Sequence, residues 1–239
     1  MSDVVSVLRP DGNLPVHRWL PQSGRGPGVL VLQEIFGLSP YIEQRCADLA
    51  AAGYVVYAPE LYFRLGGMTF DESSPSYVQE GIGASQRLDW EQTTADASAA
   101  LDALRAAPEV TGKVAVLGFC FGGGLGFQVA ARNTPDVLVS YYGSAIPGLL
   151  ELAPRITCPS LHHWGLGDSF FPPAVVAQVQ QAVTAAGADF HTYEGAEHAF
   201  DNPHPMFFHA EASALAWTRT LAFLAEHLAS EPSAGNITT

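Results

Sequence analysis

Short apolar runs alternate along this chain with longer segments whose apolar residues recur at helical spacing, and this alternation limits the fold more than any other feature. The apolar runs predict strands over 28–32, 54–58, 113–118, 137–142, 160–164 and 188–193. The spaced segments predict helices over 40–52, 89–107, 122–132, 172–186 and 214–228. This alternation is typical of an α/β fold in which a mostly parallel central sheet carries helices on both faces.

The chain has 239 residues, which is the length of one such domain. Because no repeat or linker divides it, residues 1–229 are predicted to form a single domain, and the small, polar residues 230–239 a disordered tail. The glycine-rich segment 60–88 is predicted to be a long loop with one or two helical turns, lying over the functional site.

The charge balance excludes several classes of partner. Eleven Lys and Arg against 24 Asp and Glu give a formal net charge of −13. So few basic residues cannot form the basic face that binds nucleic acid, and an anionic membrane would repel the protein. Residues 1–10 lack the basic and apolar regions of a signal peptide, and no stretch has the length of a membrane span. The sequence therefore predicts a cytoplasmic protein that acts on a small molecule.

The three cysteines, Cys46, Cys120 and Cys158, are too widely spaced for a disulfide framework or a Cys-x-x-Cys site. Cys46 lies on the apolar stripe of a predicted helix and Cys158 precedes a predicted strand, so both are predicted to be packing residues. The histidines lack the spacing of a helical zinc pair, and no metal site is predicted.

Cys120 lies in a glycine-rich junction between a predicted strand and a predicted helix, Gly118-Phe-Cys-Phe-Gly-Gly-Gly124. This is the Gly-x-Ser-x-Gly pattern of a nucleophile elbow with cysteine in place of serine. The turn is so sharp that flanking side chains would collide, and the helix N-terminus stabilises a thiolate. Cys120 is therefore the predicted nucleophile and the amide of Phe121 one oxyanion donor. The alternative is a buried structural cysteine in a glycine-rich turn.

An acid and a histidine follow Cys120 in the chain order that enzymes with such elbows use. Asp168 follows the predicted strand 160–164, and His198 follows the predicted strand 188–193. Because the carboxyl ends of parallel strands share one edge of the sheet, both side chains are predicted to reach the thiol. The alternatives are an Asx turn or helix cap for Asp168 and a merely solvated loop position for His198.

Glu34 follows the first buried strand, where the loop that supplies the second oxyanion donor begins. The amide of Ile35 is the predicted donor. The Glu34 carboxylate is predicted to lie near the thiol, where it would hold or exchange the thiol proton or only hydrogen-bond the loop. Four aromatic residues are predicted to line an apolar pocket or else to belong to the core: Phe36, Phe121, Phe171 and Phe200.

These segments together resemble the dienelactone hydrolase family of α/β-hydrolase enzymes. The similarity spans residues 29–228 and rests on Gln33-Glu-Ile-Phe-Gly37, Ala58-Pro-Glu-Leu-Tyr62, Gly118-Phe-Cys-Phe-Gly-Gly123, Tyr141-Tyr-Gly143, Gly167-Asp168 and Glu197-His-Ala-Phe200. The resemblance implies an α/β-hydrolase fold and a triad of Cys120, His198 and Asp168. It also implies that Glu34 contacts the resting thiol and takes its proton when substrate binds. It implies no metal or organic cofactor.

Two positions depart from the pattern of this family. Members that act on dienelactone hold the substrate carboxylate with two arginines; the corresponding positions here are Asn202, which is predicted to face the substrate, and Val78. Only a different course of the loop would let Arg64 or Arg87 replace them.

The sequence therefore predicts hydrolysis of a small, preferably neutral, ester or lactone through a thioester acyl-enzyme. The rival hypothesis is a non-hydrolytic thiol redox or ligand-binding protein on the same fold, which needs a reactive Cys120 but neither Asp168 nor His198.

Overall fold

One sheet of eight strands lies at the centre of the protein, in a computed structural model that describes residues 2–68 and 70–229. The strands are β1 (Asp3–Arg9), β2 (Gly12–Trp19), β3 (Gly26–Leu32), β4 (Val55–Pro59), β5 (Val110–Phe119), β6 (Val137–Tyr141), β7 (Ser160–Gly165) and β8 (Asp189–Tyr193). Their order is β1-β2-β4-β3-β5-β6-β7-β8, and the six strands from β4 to β8 run parallel. The predicted, mostly parallel sheet is confirmed, whereas the predicted tail 230–239 lies outside the described residues.

Helices cover both faces of this sheet. They are α1 (Pro40–Ala51), α2 (Tyr77–Ser85), α3 (Trp90–Ala106), α4 (Phe121–Asn133), α5 (Pro173–Ala185) and α6 (Ala210–Leu228). Strand β3 shows why two apolar layers form, because successive side chains of a strand point to opposite faces. Val29 and Val31 pack with α1 and α6, while Leu30 and Leu32 pack with α3, α4 and α5. A strand buried on both faces produces the unbroken apolar run seen in the sequence.

Strands β1 and β2 form an antiparallel hairpin at the edge of the sheet, which the apolar runs of the sequence do not predict. In β2, the buried residues Leu14 and Val16 alternate with partly exposed ones, and the apolar side chains of β1 stay partly exposed. Such a half-buried edge has no continuous apolar run. The adjacent residues Asp11-Gly12 at the turn were the available signal for a hairpin.

The segment 60–88 contains more regular structure than a loop. A short 3-10 helix covers Phe63–Leu65, and α2 extends over nine residues, Tyr77–Ser85. Its two glycines, Gly81 and Gly83, masked the helical pattern because glycine is a poor helix former.

The other two cysteines lie where packing residues were predicted. Cys46 is fully buried in one apolar layer, and Cys158 is half-buried against the other; both are free thiols. Among the helices of the described residues, none combines the length and apolarity needed to cross a membrane.

Candidate active site

Four chain segments meet at the carboxyl edge of the sheet. Glu34 follows β3, Cys120 follows β5, Asp168 follows β7 and His198 follows β8. All four side chains are buried there. The parallel direction of these strands is what brings together residues that are far apart in the chain.

The elbow around Cys120 is sterically determined. Cys120 has φ +51°, a conformation that side chains rarely adopt, and α4 begins at the next residue. A Cβ atom at Gly118 would lie 2.0 Å from the Gly122 carbonyl oxygen, and one at Gly122 would lie 2.2 Å from the Leu32 carbonyl oxygen. Both glycines of the motif are therefore required for the close approach of α4 to the strands.

A continuous chain of hydrogen bonds joins the thiol, the imidazole and the acid. The Cys120 sulfur lies 3.1 Å from His198 Nε2, and His198 Nδ1 lies 2.7 Å from Asp168 Oδ2. The other oxygen of Asp168 accepts hydrogen bonds from the amides of Phe170 and Phe171, at 2.8 and 3.1 Å. Asp168 is therefore fixed from both sides and orients the imidazole toward the sulfur.

The electrostatic balance at His198 favours its charged form. Burial alone would lower the pKa of His198. The adjacent Cys120 sulfur and the hydrogen bonds to Asp168 and Cys120 outweigh burial and raise this pKa to about 10. His198 is therefore suited to hold a proton beside the sulfur.

Two backbone amides are available beside the sulfur. The amides of Ile35 and Phe121 donate to no other group within the described part of the chain. The Gly122 amide donates to the Gln33 carbonyl oxygen at 2.9 Å and ties the β3 loop to the start of α4. This bond holds the two free amides on neighbouring segments, as an oxyanion site requires.

Glu34 is only 1% exposed, and burial raises its pKa to about 7 although the bond from Asn202 opposes the shift. Asn202 Nδ2 donates to Glu34 Oε2 at 2.8 Å, and the Tyr142 hydroxyl donates to Oε1 at 3.5 Å. The structure differs here from the expected contact between Glu34 and the resting thiol. Both carboxylate oxygens have other partners, and the sulfur bonds to His198 instead.

An apolar pocket of about 210 Å³ opens above the sulfur. Its lining residues are Ile35, Ile82, Ser85, Cys120, Phe121, Ser144, Phe170, Phe171 and His198. Phe121 and Phe171 therefore line the pocket as predicted. Phe36 does not line it, because its ring stacks on Tyr77 at 3.9 Å beneath α2. Phe200 is fully buried among the aromatic side chains of the core, such as Tyr193 at 5.0 Å.

A wider cleft of about 560 Å³ adjoins this pocket and shares Phe170 and His198 with it. Residues 72–75 and 77–79 form one wall, while Ser169, Glu197, His204, Met206 and Phe207 complete the lining. The segment 60–88 thus lies over the site, as its composition predicted.

A comparison with known proteins places the chain in a family. The model of the dienelactone hydrolase family matches residues 15–228, which is nearly the whole chain. The chain belongs to the dienelactone hydrolase family. It is therefore a hydrolase with the α/β-hydrolase fold.

Two curated relatives and one solved structure show how close these similarities are. The carboxymethylenebutenolidase of Pseudomonas sp. (strain P51) is 36% identical over 219 residues, covering 89% of this chain and 90% of the relative. Carboxymethylenebutenolidase 1 of Cupriavidus pinatubonensis is 31% identical over 228 residues, covering 94% and 97%. The crystal structure of a dienelactone hydrolase-like promiscuous phosphotriesterase from metagenomic libraries superposes with a TM-score of 0.76 at 26% identity, covering 96% and 99%.

Among the described residues that line the pocket of this dienelactone hydrolase family member, none is an arginine. Asn202 is buried, and both ends of its side-chain amide have partners. Its Nδ2 donates to Glu34, and its Oδ1 accepts from the backbone amide of His204 at 2.9 Å. It therefore does not line either cavity, contrary to its prediction as a substrate contact. Arg64 is paired with Asp11 and Asp96, and Arg87 lines neither cavity.

Several residues of the site were missed by sequence reasoning. Ile82 and Ser85 come from α2, Ser144 follows β6, and Phe170 follows the acid. Tyr142 is the residue after β6, has φ +37° and donates to Glu34. A positive φ at a residue other than glycine is typical of functional sites but leaves no mark in the sequence. The available signals were the Phe170-Phe171 pair beside Asp168 and the motif Tyr141-Tyr-Gly143.

Proposed function

We propose that this hydrolase cleaves a small ester or lactone with Cys120 as nucleophile, through a thioester acyl-enzyme. The observation that carries the proposal is the hydrogen-bonded chain from the Cys120 sulfur through His198 to Asp168, at 3.1 and 2.7 Å, beneath an open apolar pocket. The order and geometry are those of a catalytic triad.

In the acylation step, the Cys120 thiolate attacks the carbonyl carbon and forms a tetrahedral oxyanion. The amides of Ile35 and Phe121 donate hydrogen bonds to that oxygen. The bond between the carbonyl carbon and the leaving oxygen then breaks, and the His198 imidazolium gives its proton to that oxygen. The products are an alcohol and a thioester on Cys120, and in a lactone both ends stay in one molecule.

In the deacylation step, the now neutral His198 removes a proton from water as the water oxygen attacks the thioester carbonyl. The carbon–sulfur bond breaks, the carboxylic acid leaves and the thiolate–imidazolium pair is restored. Asp168 accepts the hydrogen bond from His198 Nδ1 throughout and stabilises the charged ring.

Glu34 acts as a positioning residue in this proposal. Its carboxyl group holds Asn202 and Tyr142, while the residue after it carries one of the oxyanion amides. With a pKa of about 7 it is partly protonated near neutral pH, which limits negative charge close to the developing oxyanion.

The decisive experiment is to trap the acyl-enzyme. The enzyme is mixed with a p-nitrophenyl ester of a short acid, quenched in acid during turnover, digested and analysed by mass spectrometry. We expect the acyl mass on the peptide that contains Cys120, and its removal by neutral hydroxylamine, because thioesters react with hydroxylamine. Cys46→Ala should give the same adduct.

Two outcomes would contradict the proposal. Turnover with the acyl group on another residue would remove Cys120 from the mechanism. Tight binding or oxidation at Cys120, with no turnover of any ester or lactone, would support the rival thiol redox or ligand-binding protein.

A further inference from the structure

We propose that the preferred substrates join a small apolar acyl group to a cationic alcohol, such as an ester of a quaternary ammonium alcohol. The inference rests on the proposed thioester mechanism and adds the substrate class. It comes from the different chemistry of the two cavities that meet at His198.

The apolar pocket receives the acyl group. The oxyanion amides belong to Ile35 and Phe121, and the side chains of both residues line this pocket. A carbonyl held by those amides therefore directs its acyl chain among Ile82, Phe171 and their neighbours. A closed apolar cavity of about 150 Å³ already accommodates benzene. The volume of about 210 Å³ here suits acyl groups up to roughly the size of benzoyl.

The leaving group departs in the opposite direction. The imidazolium must reach the leaving oxygen, so that oxygen lies on the His198 side of the carbonyl. His198 and Phe170 are shared by both cavities, and beyond them lies the wider cleft of about 560 Å³. The alcohol part of an ester therefore extends into this cleft.

The lining of the cleft favours a cation. It includes the carboxylates of Glu72 and Glu197, and among the described residues that line it none is lysine or arginine. The positive charge of His198, which also lines it, is balanced by the Asp168 carboxylate at 2.7 Å. Phe170 stands at the entrance with 52% of its surface exposed, next to the His198 ring at 5.2 Å. An exposed aromatic ring in a cleft that two carboxylates also line attracts a quaternary ammonium group through cation–π attraction and through charge.

The test compares two esters of the same shape. Propionylcholine carries a quaternary nitrogen where 3,3-dimethylbutyl propionate carries a carbon atom. For each ester, kcat/KM is divided by its own rate of hydrolysis by hydroxide, which removes the difference in intrinsic reactivity. We expect a corrected preference of about fivefold for the choline ester, falling as salt is raised because both carboxylates are exposed.

Matched variants assign that preference to the cleft. The double variant Glu72→Gln, Glu197→Gln should bring the corrected ratio close to one. The double variant Glu211→Gln, Glu226→Gln removes the same charge from α6, outside the cleft, and should keep the wild-type ratio. If the first double variant does not fold, Glu72→Gln alone should lower the ratio to an intermediate value.

The outcomes separate this inference from the proposed function. Equal corrected rates for the two esters in the wild type, or a ratio that is unchanged in Glu72→Gln, Glu197→Gln, would overturn the inference and leave the mechanism intact. Hydrolysis of neither ester would likewise overturn the inference, whereas equal hydrolysis by the wild type and Cys120→Ala would overturn the proposed function itself.

Discussion

Cys120 differs from the other two cysteines in its surroundings more than in its depth. It is 7% exposed, yet its sulfur lines an open pocket and bonds to His198. Cys46 is fully buried in an apolar layer, where no substrate reaches it. The reactivity of a thiol depends on such electrostatic surroundings and on access.

The first prediction compares the three cysteines. Cys120→Ala should abolish ester hydrolysis, whereas Cys46→Ala and Cys158→Ala should retain it. Cys46→Ala should also cost about 1 kcal/mol of unfolding free energy, because it leaves a small void in a packed core. Steady-state rates and urea unfolding of the three variants measure both effects. A folded Cys120→Ala protein with comparable turnover would contradict the triad.

The second prediction concerns the charge on His198. Cys120 and the hydrogen bond to Asp168 raise the pKa of His198 to about 10, so its ring should stay protonated between about pH 6 and pH 8. In Asp168→Asn the pKa of His198 should fall, because the carboxylate that stabilises the charged ring is removed. NMR of the labelled imidazole across this pH range measures both proteins. Loss of the proton between about pH 6 and pH 8 in the wild type would contradict the raised pKa.

The third prediction is a pH dependence of stability at Glu34. Its pKa is raised from 4.5 to about 7 in the folded protein, so the folded state binds the proton more tightly. The stabilisation is complete below the unfolded pKa and is lost as pH rises through the folded one. Between about pH 4.5 and pH 7 the wild type should lose about 3 kcal/mol relative to Glu34→Gln, which does not titrate. Unfolding free energies of both proteins across this range decide it, and parallel curves would show that the pKa is unshifted.

At the scale of elements, the elbow depends on how closely α4 approaches the strands. The fourth prediction is that Gly122→Ala destabilises the protein by about 3 kcal/mol, because its Cβ would lie 2.2 Å from the Leu32 carbonyl oxygen. Gly83→Ala on α2 is the control. Nothing lies within 4 Å of its Cβ, and alanine should stabilise that helix by about 0.5–1 kcal/mol. Thermal unfolding compares the two, and equal effects would refute the steric account.

The buried strands and the main helices could be predicted because each apolar face has a regular period. Strand β3 is apolar on both faces, and α5 buries Val176, Val179 and Val183 at helical spacing. The hairpin of β1 and β2 could not be recognised in this way, because one face of an edge strand meets solvent. The nine-residue helix α2 was hidden by its glycines.

The site was predictable to the extent that its chemistry sits in short motifs. Cys120, Asp168 and His198 each follow a strand in the expected order, and the structure brings them into one hydrogen-bonded chain. The residues of the pocket walls were harder to predict from the sequence. Phe36 and Phe200 pack away from the pocket, against other aromatic rings. The sequence could not show this, because an aromatic side chain near a site fits a pocket wall and the apolar core equally well.

At the scale of the whole molecule, charge is the dominant property. A formal net charge of −13 is combined with a pocket and a cleft that contain no arginine or lysine among their described lining residues. The negative electrostatic field that results lowers the local concentration of anions and raises that of cations. The cytoplasmic location expected from the sequence remains a prediction.

The fifth prediction follows from this field. A lactone that bears a free carboxylate should have a kcat/KM at least about tenfold below that of its methyl ester, because no lysine or arginine among the described lining residues replaces the lost hydration of the carboxylate. Added salt should narrow the gap by screening the repulsion. Rates for both substrates at low and high ionic strength measure it. A strong preference for the free acid would mean that an arginine such as Arg64 or Arg87 moves into the site.

The partners of the reactive sulfur come from distant parts of the chain: His198 lies 78 residues after Cys120, beyond β8. Contacts between residues so far apart require most of the chain to be in place. During refolding, Cys120 should therefore become open to acylation by a p-nitrophenyl ester only when the C-terminal strands have joined the sheet. A pulse of that ester at successive times then reports the last stage of folding, with no dye or probe attached to the protein.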